Sequence, residues 1–286
     1  MNIYRYNPVF NQWVLLGAHS LTDIDITDRH LLDIGKTQHF VAATIPRQPF
    51  IMDPPEKRAQ VADDLLYQSQ PPVGEAETML YTGEFSLSEW EIREWDAWLM
   101  LIQQRIMQVY QNPYVHFVKF SFSTAMQRTA GPAYLRVGDL ISTSHPIAGS
   151  QVVLQTELVA KLRAKERAFI ILNNDAGDLY VPSAPLFEKE VWFLPKRTQP
   201  TFEKISKDER QDIARLMRTL FRSLHTEYHG QDFVFTLHTS LNEMSEESTW
   251  WMQITQQEVN TLSSYPVRPL PEAFARRLEF ALGGHK

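Results

Sequence analysis

A chain of 286 residues that is 43% apolar, 22% charged and 12% aromatic has the make-up of a globular protein, able to bury one large core or two ordinary ones. Its net charge of −6 gives no electrostatic ground for nucleic acid or an anionic membrane as partner. Zero cysteines exclude disulfides, cysteine-held metal clusters and thiol nucleophiles, and no apolar run approaches the roughly 20 residues that span a bilayer. The segment Met1–Pro8 has no apolar stretch of the secretory kind, so a cytoplasmic location is the default expectation.

In chain order, strands are expected at Gln12–Leu16 and His39–Thr44, with an acidic loop, Ser20–Asp28, between them. That loop carries three aspartates but lacks the glycine and terminal glutamate of a calcium loop, so it reads as solvated. Residues 46–77, with Pro46, Pro49, Pro54, Pro55, Pro71 and Pro72, read as a long irregular connection, a surface wrap or a subunit contact. Met79–Tyr81 is a short strand. Ser88 opens a long helix to about Gln111, with Ile92, Trp95, Leu99, Ile102, Ile106 and Val109 on one stripe and Asn112-Pro113 as its stop. Tyr114–Phe122 is β-rich, with Phe117 and Lys119 on one face and Val118 and Phe120 on the other. Ala133–Val137 and Leu140-Ile141 follow as strands.

The stretch from Ala168 to Gln256 repeats this pattern. Strands are expected at Ala168–Leu172, Leu179–Val181 and Glu190–Leu194, then a helix with Ile213, Leu216, Met217, Leu220, Phe221 and Leu224 inward. Ser206 or Asp208 caps that helix, and strands at Phe233–Leu237 and Trp250–Ile254 complete the unit. Strand, long helix, strand, loop, strand thus occurs twice, which predicts an internal duplication. A short helix from Leu270 to Phe280 closes the chain. The expected class is α+β, with halves at 1–150 and 151–286, each an antiparallel sheet carrying a long helix.

Asn7-Pro8, Trp13-Val14, Val181-Pro182, Glu190–Arg197, the helix after Ser206, Leu237–Thr239 and Pro271–Leu278 occur in an order that resembles galactose-1-phosphate uridylyltransferase and its relatives in the histidine-triad superfamily. The resemblance implies two histidine-triad-like halves packed as one unit. It also implies ping-pong transfer of a nucleotide through a histidine in an H-P-H-x-Q strand.

Against that pattern the departures stand out. One register sets the motif on Leu135–Asp139 and puts Val137 at the nucleophile position; another uses Ser144-His145-Pro146 and puts Ile147 there. Neither residue can attack phosphorus. The arginine cluster that the resemblance implies becomes His19–Asp23, and the metal-capable H-x-H-x-E strand becomes Thr249–Gln253. Neither a metal nor a cofactor is therefore expected. His225 and His229 stand four apart without a third ligand, and His116, His225, His229 and His238 read as structural or surface residues.

The expected function is a catalytically silent relative that still binds a nucleotide, sugar phosphate or other small molecule, or that serves as a protein scaffold. The alternative is an active nucleotidyltransferase or phosphorylase with Asp139 or His145 as base or nucleophile. Candidate ligand contacts are Tyr134, Arg136, Asp139, His145, Lys196, Arg197, Trp251 and Gln253, with Trp250 and Met252 adding apolar lining. A homodimer is the expected assembly.

Overall fold

The computed structural model describes residues 2–7, 12–17, 29–33, 39–44, 74–82, 87–112, 115, 117–124, 135–143, 154–183, 187, 189–197, 201–228, 231–239, 248–256 and 271–283, with side chains from residue 87 onward except at 135, 136, 143 and 271. Strands β1 (Asn2–Asn7) and β2 (Gln12–Gly17) form a hairpin of their own. In the first half follow β3 (Arg29–Asp33), β4 (His39–Thr44), β5 (Gly74–Thr82), helix α1 (Ile92–Val109), β6 (Phe117–Ser123) and β7 (Leu135–Thr143). After the short β8 (Leu154–Gln155) and helix α2 (Thr156–Lys165) come β9 (Ile170–Asn173), β10 (Gly177–Tyr180) and β11 (Glu190–Pro195). Helix α3 (Lys207–Glu227), β12 (Phe233–His238), β13 (Ser248–Thr249), β14 (Trp251–Gln256) and α4 (Pro271–Ala281) complete the described elements.

Ten of these strands form one antiparallel sheet in the order β3-β4-β5-β7-β6-β12-β14-β11-β10-β9. The two sides of the β6–β12 junction follow the same plan. Five strands run outward on each side, with α1 joining β5 to β6 and α3 joining β11 to β12. The class is α+β with two like halves, as the repeated pattern predicts.

Both long helices pack on one face. Trp95, Trp98, Leu99, Ile102 and Ile106 of α1 meet Ile213, Leu216, Met217, Leu220 and Leu224 of α3 in a single core, the stripes that helical periodicity selects. Trp98 centres it. Its indole Nε1 donates to the Val137 carbonyl at 2.8 Å, and its ring stands edge-on to Phe120 and Phe235 at 5.5 and 5.1 Å. Arg210 ties the helices together, donating to Asp96 Oδ1 at 2.7 Å and Gln103 Oε1 at 3.0 Å. On the opposite face α2 covers a smaller cluster of Leu154, Val159, Tyr180, Leu194 and Trp251. Arg163 of α2 clamps it down through Asp178 at 2.5 Å and the carbonyls of Leu194 and Pro195.

Several boundaries differ from the sequence reading. A 3₁₀ turn, Leu87–Glu89, precedes α1, which starts at Ile92 because the Glu94 carboxylate takes the Glu91 N–H at 3.0 Å. Ser206 does cap α3, through reciprocal bonds with Glu209 of 3.2 and 2.7 Å. β6 begins at Phe117 rather than Tyr114, and β7 runs unbroken to Thr143 with a bulge at Val137-Gly138. Residues 74–77 belong to β5, which shortens the expected irregular connection; the rest of it and the acidic loop lie outside the described residues. No helix among the described residues is long and apolar enough to cross a membrane.

Candidate functional site

The sheet face away from α1 and α3 carries the polar chemistry. Strict alternation along β6 sends Val118, Phe120 and Phe122 into the helix-side core, so Lys119 and Ser121 leave on the other side. Register then sets two rows across the sheet. One runs Ile141, Lys119, His238, Trp251 from β7 to β14. The next runs Asp139, Ser121, Thr236, Gln253, Trp192, Tyr180 from β7 to β10.

Behind these rows sits a buried carboxylate. Glu190, 1% exposed, accepts hydrogen bonds from Gln253 Nε2 and Trp192 Nε1, each at 2.6 Å, and from the Phe187 N–H at 3.2 Å. Because the Gln253 amide nitrogen faces a carboxylate, its Oε1 is the atom turned to His238 Nε2 at 3.1 Å. That oxygen can only accept, so the proton of a neutral His238 resides on Nε2. The imidazole lies flat on the Trp251 ring, centroids 4.2 Å apart and planes 8° from parallel, and Trp192 meets Trp251 edge-on at 5.0 Å. The chain Glu190–Gln253–His238 therefore fixes one tautomer and one ring orientation.

Lys119 differs from the rest. It is half-buried, makes no hydrogen bond or ion pair among the described residues, and is held by desolvation below the ordinary lysine value.

The candidates from sequence scatter. Asp139 and Gln253 share a row, with β6 and β12 between them. Trp251 is 2% exposed, with one ring face against His238. Trp250 and Met252 belong to the helix-side core, Trp250 stacked on Phe193 at 5.5 Å, so they line no part of this face. Lys196 and Arg197 are exposed past the end of β11, about 13 Å along the chain from Trp192. Arg136 lies in β7 opposite Leu80, its side chain outside the described set; Tyr134, His145, Ile147, His116 and His229 are outside the described residues. Among the described residues no group of three or more His, Asp or Glu could hold a metal ion. Lys119, Glu190 and His238 do not announce themselves in the sequence as site residues. The available signals are a charge inside one apolar strand run and a second at the head of another.

No protein-family model and no curated protein sequence matches the chain. Solved structures do. A uridylyltransferase superposes with a TM-score of 0.75 at 13% identity and 99% coverage of both chains. The chain has the uridylyltransferase fold. An ADP-glucose phosphorylase from Arabidopsis thaliana, solved with ADP-glucose bound, covers 98% of this chain and 99% of its own at a TM-score of 0.64 and 14% identity. A GalT-like protein from the same plant gives 0.61 at 13% identity over 83% and 82%. The resemblance read from the sequence thus holds at the level of the fold.

Within this uridylyltransferase fold, Val137 is 0% exposed and part of the helix-side core. Simple alternation from Asp139 would bring it to the same face as that carboxylate. The bulge at Gly138, whose φ of 142° suits glycine alone, turns it inward instead.

Proposed function

We propose that the chain binds a small phosphorylated ligand, a nucleotide sugar or sugar phosphate, on the sheet face away from α1 and α3, without transferring a nucleotidyl group through a histidine. The observation that carries this reading is the half-exposed row Asp139, Ser121, Thr236, Gln253 and Trp192. It ranges a carboxylate and two hydroxyls over the middle of the sheet, the groups that recognise sugar hydroxyls and phosphate oxygens, beside a Trp192 ring whose N–H is held by Glu190 and whose face is left for stacking. A phosphorylase of the same fold was solved with ADP-glucose, which names the ligand class to try first. Transfer through histidine needs an imidazole aimed at phosphorus, and Val137 or Ile147 supplies only an alkyl group. The reading includes a cytoplasmic location and a homodimer, to be checked by cell fractionation and sedimentation.

A second reading, an active transferase or phosphorylase using Asp139 or His145, draws on the place of Asp139 in that same row. One experiment separates the two. The protein is screened by thermal shift against UDP, UDP-sugars, ADP-sugars and hexose phosphates, then incubated with a nucleotide sugar labelled at its α-phosphate. One class is expected to raise Tm, since a ligand at about 100 times its Kd adds about 2.7 kcal/mol, and no label should stay on the protein. A flat screen would sink the binding reading. Label retained through denaturation, or turnover, would establish the enzyme.

A further inference from the structure

We infer that Lys119 is the phosphate receptor of this face, gripping an anion at the seam where β6 meets β12. The inference rests on the binding reading above and names the atom that does the work.

The neighbours of Lys119 leave little else for it to do. Directly across stand Ile141 on β7 and His238 on β12, neither of them a carboxylate. The next residues on the same face are Phe117 and Ser121 on β6, with Asp139 and Thr236 diagonal to it. Asp139 is the nearest carboxylate by register, yet no ion pair joins the two. The proton on His238 Nε2 is already directed at Gln253. Half-burying an ammonium with no counter-charge among the described residues is unfavourable, and a β-branched apolar residue suits the middle of a strand better. What this placement provides is a cation at the centre of the ten-stranded sheet, next to two hydroxyls.

That set matches a phosphate. Lysine meets phosphate oxygens as a point charge, and the hydroxyls of Ser121 and Thr236 can donate to the oxygens that remain. Asp139, one row away, repels a second anionic group but accepts hydrogen bonds from sugar hydroxyls. The ligand is therefore a sugar or nucleoside phosphate lying with its phosphate toward Lys119 and its hydroxyls toward Asp139. Lys196 and Arg197, exposed past the end of β11 and three strands over from β6, roughly 14 Å across the sheet, are too far to share the charge.

The test uses the full chain with UDP, inorganic phosphate and uridine as probes, titrated by calorimetry into wild type, Lys119→Met and Lys119→Arg. Lys119→Met should fold with at least wild-type stability, because it deletes a charge that has no partner among the described residues and keeps the packing stem. It should bind UDP and phosphate roughly 10- to 100-fold more weakly, the loss expected for one charge-assisted hydrogen bond, with uridine unaffected. Lys119→Arg should stay close to wild type. UDP and phosphate binding that survives Lys119→Met overturns this inference and leaves the binding reading standing. A wild-type chain that binds none of the probes overturns both.

Discussion

Gly138 shows how much a single position decides. A Cβ built there would stand 2.1 Å from Cζ of Phe120, and its φ of 142° is one that other residues adopt only under strain. The bulge and the phenyl ring thus depend on each other: the ring fills the space that a side chain would take. Gly138→Ala is expected to destabilise the fold by about 3 kcal/mol, combining backbone strain with overpacking. Urea unfolding measures it, and a loss below about 1 kcal/mol would mean that Phe120 has room to swing away. The same position explains why Val137 could not be placed from sequence. Period two sets residues 137 and 139 on one face, and only the bulge separates them.

At the scale of elements, the long helices were legible because their stripes are wide and regular, from Trp95 to Ile106 and from Ile213 to Leu224. Helix α2 is not legible in the sequence, although Thr156 and Glu157 open it and Glu157 pairs with Lys161 one turn on. It buries only Val159 fully, so its apolar pattern is faint. The polar cluster was hidden for a different reason. Lys119, Glu190, His238 and Gln253 meet only through strand order and register, which spacing along the chain does not encode. Helix pairing makes its own prediction. Arg210 is 10% exposed and hydrogen-bonded to both Asp96 and Gln103, so Asp96→Ala strands a buried guanidinium and should cost about 3 kcal/mol. Replacing both members, as Asp96→Leu with Arg210→Leu, should cost clearly less. If the single and double variants melt together, the pair contributes nothing to holding α1 against α3.

For the whole molecule the seam governs. The β6–β12 ladder joins two five-stranded sheets, and Phe120, Phe122, Phe235 and Leu237 weld it beneath the helices. We propose the division between halves near residue 150. Residues 1–150 alone would then expose β6 as an unpaired apolar edge, and residues 151–286 would expose β12. Each piece made separately is expected to aggregate, and the two made together to recover one particle of full-length size by gel filtration. A soluble, monomeric, folded half would show that the seam is dispensable.

That ladder is centred on Ser121 opposite Thr236, two hydroxyl residues of nearly the same kind. A two-fold rotation about this pair exchanges Lys119 with Val234 and His238 with Ser123. Identical halves would present the same groups at both ends, and a guest lying across the middle could sit either way round. Here one end offers a cation and an imidazole while the other offers valine and serine. The difference between the two sides gives the centre of the protein a direction, and a molecule bound there would have a head and a tail.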